Sequence, residues 1–174
     1  MCADCQYWRH QLPWFTGRER ALFAYQSEIK TYFERFKRQG DYQLKDLFRS
    51  DLGRWWAENG QRYDAVVPVP GDDHRSWQRG FEPVTALFET VFPLTPVLAK
   101  QGTTAEQAQQ DRRTRLMTRQ PFAFQPSRGI ACQHWRRVLL VDDIYTTGST
   151  LHQAAAVLHG AGITAQMDTF TLAR

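Results

Sequence analysis

The sequence predicts an α/β fold, with a mostly parallel sheet flanked by helices in its second half and a smaller helical segment before it. The run RVLLV at 137–141 is continuously apolar, as expected for a strand that is covered on both faces. Apolar residues then recur at helical spacing from 151 to 158, and TAQMDTFTLA at 164–173 is the last predicted strand. Strand, helix and strand at this spacing form a crossover unit, which joins parallel strands.

Composition places the chain among ordinary globular domains. It has 174 residues, of which 42% are hydrophobic and 23% charged, so one domain with a substantial core is expected. Lys and Arg number 22 against 18 Asp and Glu, and the net charge of +4 favours anionic partners such as phosphates or nucleic acid. No apolar run is long enough for a membrane span, and the polar start does not resemble a signal peptide. We therefore expect a cytoplasmic protein without membrane insertion.

The first half of the chain is predicted to be mainly helical. Apolar residues recur every three or four positions from about Arg18 to Gly40, and a second such pattern runs from Leu44 to Gly60. The first predicted strand is YDAVVPVP at 63–70, and its prolines place its end near Pro68–Pro70. A helix over 84–91 and a short strand over 96–99 are expected next.

The segment 100–120 is rich in Gln and Arg and has few apolar anchors. Two interpretations stay open: a solvated loop with a helical turn, or a mobile basic lid over an anion site. Lys37 and Lys100 are candidate phosphate contacts.

The most informative segment is VLLVDDIYTTGST at 138–150. Ligands of open α/β sheets bind beyond the carboxyl ends of strands, where Asp142 and Asp143 are expected to lie. Thr146–Thr150 then lead into a helix, whose free N–H groups and positive dipole end favour a phosphate. A sugar phosphate suits both parts, because its hydroxyls donate to carboxylates while its phosphate contacts the loop. The alternative is a turn capped by the aspartates, followed by an ordinary helix start.

This segment resembles the phosphoribosyl pyrophosphate (PRPP) signature of type I phosphoribosyltransferases, which implies that fold for the predicted sheet. The resemblance implies that Asp142 and Asp143 hold the ribose hydroxyls and that Mg²⁺ accompanies PRPP or a ribose 5-phosphate type of ligand. It assigns the 5′-phosphate to Thr146, Thr147, Gly148, Ser149 and Thr150.

Further segments resemble the ComF competence family along nearly the whole chain. They are VVPVP with the following Arg75, RGF at 79–81, ALFAYQSEIKTYFERFKRQGDY at 21–42, CADCQYW near the start, RTRLM at 113–117 and the final TFTLAR. The resemblance gives six candidates for a pyrophosphate or lid site: Pro70, Gly71, Arg75, Arg79, Gly80 and Arg115. By spacing alone, the helical arginines face either pyrophosphate, DNA or solvent, and Trp77 between them is expected to pack. Glu82 and Thr118 depart from the family, which often has Asn at both positions.

The resemblance also divides the chain into a remnant of a zinc-binding region at 1–16, a helical hood segment at 17–60 and a phosphoribosyltransferase-like domain at 61–174. Cys2 and Cys5 form half of a zinc site, whereas a closed structural site needs four ligands. The earlier Cys pair usual in the family is missing, so we expect less than one zinc per chain.

The function implied is transfer of a phosphoribosyl group to an acceptor that the sequence does not specify, in association with natural competence and DNA uptake. Two alternatives remain. The first is a factor that handles single-stranded DNA, with a competence helicase as a candidate partner. The second is a PRPP sensor without turnover.

Overall fold

The computed structural model describes residues 3–71, 73–100, 121–127 and 130–174. Its main sheet contains four strands, β1 (Glu19–Phe23), β2 (Ala65–Pro68), β5 (Arg137–Ile144) and β6 (Gln166–Ala173). Two short strands, β3 (Leu98–Lys100) and β4 (Phe122–Phe124), lie outside it. The strands of the main sheet are parallel throughout and follow the order β1, β6, β5, β2. The prediction of a mostly parallel α/β sheet is confirmed.

Helices cover both faces of this sheet. They are α1 (Ala3–Gln11), α2 (Ser27–Phe33), α3 (Arg49–Asn59), α4 (Asp73–Arg79), α5 (Pro83–Phe88) and α6 (Ser149–Gly160). A π-helical turn, Glu34–Gln39, continues α2, and 3₁₀ turns lie at Tyr42–Asp46, Gly60–Arg62 and Cys132–His134. Within the described ranges, no helix has the length and apolar character that crossing a membrane would require.

The crossover from β5 through α6 to β6 forms the centre of the fold. Val138 and Leu140 of β5 pack under α6 in one core cluster, whereas Leu139 and Val141 belong to the cluster on the opposite face. Successive side chains of a strand point to opposite faces, so a strand covered by helices on both sides is apolar at every position. The strand, helix and strand predicted over 137–173 are therefore confirmed, and β5 extends three residues further than expected.

The helix predicted from Arg18 is wrong at its beginning. Glu19–Phe23 is a strand, and it pairs with β6 in the register Glu19 with Thr169 and Phe23 with Ala173. The helix begins only at Ser27. The free edge of β6 accounts for the difference, because pairing with a distant strand overrides a local helical pattern.

Three further expectations differ from the structure, two about elements and one about packing. The strand expected at 96–99 is β3 (Leu98–Lys100), which pairs antiparallel with an unpredicted strand β4 (Phe122–Phe124) in a separate sheet. The helix expected from Leu44 is a 3₁₀ turn followed by α3. Trp77 does not pack, since 83% of it is exposed on α4.

Candidate functional site

Two adjacent carboxylates lie at the carboxyl end of β5. Asp143 is buried, with 8% of its surface exposed, whereas Asp142 is half-buried. The Asp143 amide donates to Oδ1 of Asp142 over 2.8 Å, which folds that carboxylate back against the chain. Burial and the adjacent charge of Asp143 raise the pKa of Asp142 well above its ordinary range. The two acids of the sequence prediction are thus at a strand end with different environments.

Lys37 reaches this strand end from the π-helical turn. Its ammonium forms an ion pair with Oδ2 of Asp143 and lies 5.0 Å from the centre of the Phe33 ring. The sequence indicated Lys37 as a phosphate contact, but the structure pairs it with the second aspartate. Asp143 is therefore charge-compensated, whereas Asp142 has no ion pair with any residue that the structure describes.

The hydroxyl of Tyr32 is a second unforeseen feature near this pair. It is buried and has no hydrogen-bond partner among the described residues. Burial, with a smaller contribution from the charge of Asp143, raises the pKa of this phenol. The side chain is therefore a neutral hydroxyl close to the buried carboxylate.

The loop after β5 turns sharply into α6. Gly148 has φ of 74°, in the left-handed region that glycine adopts at little cost. A Cβ at this position would collide with the Tyr145 hydroxyl and would lie 2.9 Å from Nδ1 of His152. The predicted phosphate-loop residues Thr146, Thr147 and Thr150 are exposed. The loop thus presents hydroxyls to solvent beside the amino end of a helix of 12 residues.

A layer of side chains from distant parts of the chain supports this loop. The Trp8 indole donates to the Thr147 carbonyl over 2.9 Å, and Nδ1 of the buried His152 contacts the Gly148 carbonyl at 2.8 Å. Glu19 of β1 accepts a hydrogen bond of 2.8 Å from the Tyr145 hydroxyl and lies 3.4 Å from Nε2 of His152. The sequence interpretation missed this support, since Trp8 and Glu19 lie more than a hundred residues from the loop.

The end of β2 is held by Glu82. Its Oε1 accepts from the Gly71 amide over 3.2 Å, and its Oε2 caps α5 by accepting from the Thr85 amide over 2.6 Å. The neighbouring Pro83 at the helix start was the sequence signal for such a cap. Pro70 and Gly71 therefore lie beside an anchored turn in which the Gly71 amide already has an acceptor.

The remaining candidates lie around α4. Arg79 donates from Nε to the Lys37 carbonyl over 2.5 Å, and Gly80 follows it with φ of 85°. Arg79 thus connects α4 to the π-helical turn that carries Lys37. The side chain of Arg75 and the whole of Arg115 lie outside the described residues.

A cleft of about 690 Å³ opens between the end of α2 with its π-helical turn and α4. Its lining includes Phe33, Lys37, Gly40, Arg79 and, at the end of β5, Ile144. It reaches the aspartates through Lys37 and Ile144, whereas the aspartates and the loop after Tyr145 do not line it. The cleft is large enough to hold a further part of a ligand that is bound at the aspartates.

Metal ligands are sparse in the described part of the chain. No three His, Cys, Asp or Glu side chains there are grouped to hold a metal ion. Cys2 and the side chain of Cys5 lie outside the described residues, so the zinc expectation stays a prediction. Mg²⁺ is commonly bound by one or two carboxylates together with ligand phosphates, and the aspartate pair offers such oxygens.

The chain resembles three characterised proteins. It is 32% identical to Competence protein ComFC of Streptococcus pneumoniae over 174 residues, which cover 99% of this chain and 74% of that protein. It is 27% identical to Competence protein ComFC of Bacillus subtilis over 177 residues, which cover 100% of this chain and 72% of that protein. It is 31% identical to Competence protein F of Haemophilus influenzae over 120 residues, which cover 64% of this chain and 50% of that protein. No family model matches the chain.

Proposed function

Because the chain belongs to the ComFC competence protein family, we propose that it binds PRPP with Mg²⁺ at the carboxyl end of β5. The observation that carries this proposal is the order of groups at that strand end. Two carboxylates are followed by a turn with a left-handed Gly148 and by the amino end of α6. Acceptors for hydroxyls therefore lie next to donors for a phosphate, as a sugar phosphate requires.

The aspartates divide the recognition of the ribose between them. Vicinal hydroxyls of the sugar donate to Asp142 and Asp143, and the Lys37 ammonium compensates the charge of the buried Asp143. The 5′-phosphate accepts from hydroxyls and N–H groups of Thr146–Thr150. Gly148 lets this backbone approach the phosphate closely, and Trp8 and His152 hold it from behind.

The reaction proposed at this site is phosphoribosyl transfer. The bond between C1 of the ribose and the pyrophosphate oxygen breaks, pyrophosphate leaves with the electron pair, and a nucleophilic acceptor forms the new bond at C1. Mg²⁺ would supply charge neutralisation on the pyrophosphate oxygens. The residues of this chain contribute by orienting the sugar and by placing negative charge near the developing positive centre, so no protein nucleophile is needed.

The test is calorimetric titration of PRPP with and without Mg²⁺. We expect Mg²⁺-dependent binding, with ribose 5-phosphate as a competitor, and a loss of about tenfold or more when Asp142→Asn and Asp143→Asn are combined. Asp46→Asn with Asp51→Asn removes the same charge from the hood surface and should bind as the native chain does. The proposal would be overturned if the native protein did not bind PRPP at millimolar concentration, or if the double Asn variant bound it with native affinity.

The names of the relatives associate them with competence, and we propose the handling of single-stranded DNA as a second candidate function in that process. Its basic candidate surface, Arg112–Arg119, lies outside the described residues. A helicase partner and a cytoplasmic location belong to the same proposal. If PRPP binds but no acceptor is consumed, the protein acts as a PRPP sensor in that process.

A further inference from the structure

A second cleft lies at the opposite end of the sheet, where the strands begin. It has a volume of about 270 Å³ and lies between α3 and the first residues of β1 and β5. Arg137 at the start of β5 lines it, whereas Asp142 lies five residues further along the same strand. At about 3.3 Å per residue the two ends are roughly 16 Å apart, so this cleft is separate from the aspartate site.

The base of the cleft is a charge-compensated unit. The carboxylate of Asp168, of which 2% is exposed, accepts from the Arg18 amide at 2.8 Å and from the Tyr63 hydroxyl at 3.1 Å. Nη2 of Arg137 donates to the same carboxylate over 3.0 Å. Burial and this carboxylate raise the pKa of Tyr63 to about 12, so its hydroxyl stays a donor. Asp168 is therefore saturated by local donors.

Three more guanidinium groups line the same cleft without compensation. Arg18, Arg20 and Arg62 form no ion pair with any residue in the described ranges, and they are exposed. Arg62 makes one hydrogen bond, from Nη1 to Asn59 over 3.2 Å. Since Glu58 is the other acid of the lining, four arginines oppose two carboxylates. Cations gathered in a concave surface concentrate positive potential there.

The geometry points to a second binding site, for a phosphoryl group. Guanidinium forks bind phosphate oxygens through paired N–H donors, and the aromatic Trp55 and Tyr63 give the cleft flat apolar walls. Arg20 lies in β1, Arg18 directly precedes that strand, and Arg62 ends the 3₁₀ turn after α3, so the donors come from two parts of the chain. A free phosphate monoester and a phosphodiester of a nucleic-acid strand offer the same chemistry to these arginines. The inference does not rest on the function proposed for the aspartate site.

Amide NMR of the full chain tests the site with inorganic phosphate as the probe. We expect shifts at Arg20, Tyr63 and Arg137, and a loss of about tenfold in the affinity they report when Arg20→Gln and Arg62→Gln are combined. Arg49→Gln with Arg54→Gln removes equal charge from the outer side of α3 and should retain the shifts. The amide signals of Gly148 and Ser149 report binding at the aspartate site separately. If no ligand binds there, the shifts at the second cleft can still be interpreted.

Two further titrations distinguish the sources of the phosphoryl group. If a 5′-mononucleotide shifts the same amides and a short thymidine oligonucleotide does not, the ligand is a free monoester. If the oligonucleotide binds with a salt dependence that only the Arg20 and Arg62 pair reduces, the cleft takes a nucleic-acid backbone. Absence of shifts at these amides with every probe, or equal loss in the control pair, overturns the inference.

Discussion

Trp8 lies flat on His152, with ring centres 4.7 Å apart and planes inclined by 3°. The pair joins the first helix to the first turn of α6, although the two residues are far apart in sequence. Each ring also contacts a carbonyl of the intervening loop, Trp8 that of Thr147 and His152 that of Gly148. The N-terminal helix thus contributes directly to the shape of the candidate phosphate loop.

Replacing Trp8 should destabilise the whole domain. Trp8→Ala removes a stacked pair and a hydrogen bond, so we expect the free energy of unfolding to fall by about 2–3 kcal/mol. Trp8→Phe keeps a ring and should lose about 1 kcal/mol. Urea denaturation measures both. The exposed Trp77→Ala is the control and should change stability by less than about 0.5 kcal/mol, and equal effects at the two tryptophans would contradict the role assigned to Trp8.

The charge state of His152 should make stability depend on pH. Burial lowers the pKa of this imidazole, outweighing the Gly148 carbonyl and Glu19, which act in the opposite direction. The unfolded chain therefore binds the proton more tightly. Stability is complete above the ordinary pKa of about 6.5 and declines as pH falls towards the lower folded value.

The variant His152→Asn isolates this contribution. Its side-chain amide still donates towards the Gly148 carbonyl but does not titrate, so the decline between about pH 7 and pH 5 should be shallower than in the native chain. Thermal unfolding across this range measures the difference. Parallel pH profiles for the two proteins would exclude His152 as the titrating group.

Gly148 should be sensitive to any side chain. Gly148→Ala places a Cβ against Tyr145 and His152 in a left-handed backbone, and we expect a loss of about 2–3 kcal/mol together with weaker ribose 5-phosphate binding. Gly53→Ala on α3 is the control, because no atom lies within 4 Å of its added Cβ. That variant should be more stable by about 0.4–1 kcal/mol. If Gly148→Ala and Gly53→Ala were equally stable, the steric restriction assigned to the turn at Gly148 would be wrong.

Asp142→Asn should stabilise the unliganded protein while weakening ligand binding. The pKa of Asp142 is raised in the fold, so its contribution to stability is present at low pH and is lost as pH rises through the folded value. The Asn variant avoids that loss and should unfold at a higher temperature near neutral pH. The difference should vanish below about pH 3.8, and a variant that is less stable at neutral pH would contradict the raised pKa.

Lys37→Met should leave the carboxylate of Asp143 buried without its partner. We expect the free energy of unfolding to fall by about 2–4 kcal/mol near neutral pH, because a buried carboxylate that loses its cation is left uncompensated. Adding Asp143→Asn to this variant should restore most of the stability. Lys30→Met on the exposed side of α2 is the control, and urea unfolding of the four proteins makes the comparison.

Local sequence determined the centre of the fold and the identity of its candidate site. The apolar run of β5, the helical spacing of α6 and the alternation in β6 are all short-range patterns. Burial on both faces of a parallel sheet accounts for the run in β5. The aspartates lie within the last three residues of β5, and Gly148 comes four residues after its end, so their position at this end of the sheet was predictable from the strand alone.

Tertiary structure decided what surrounds that site. Glu19–Phe23 became a strand because β6 offered an open edge, and Lys37 turned to Asp143 because a buried carboxylate needs a cation. Trp8 contacts the loop because its ring stacks on His152 of α6. These contacts join residues more than a hundred positions apart. Their energies depend on burial and proximity that no local pattern encodes, so only the folded chain brings them together.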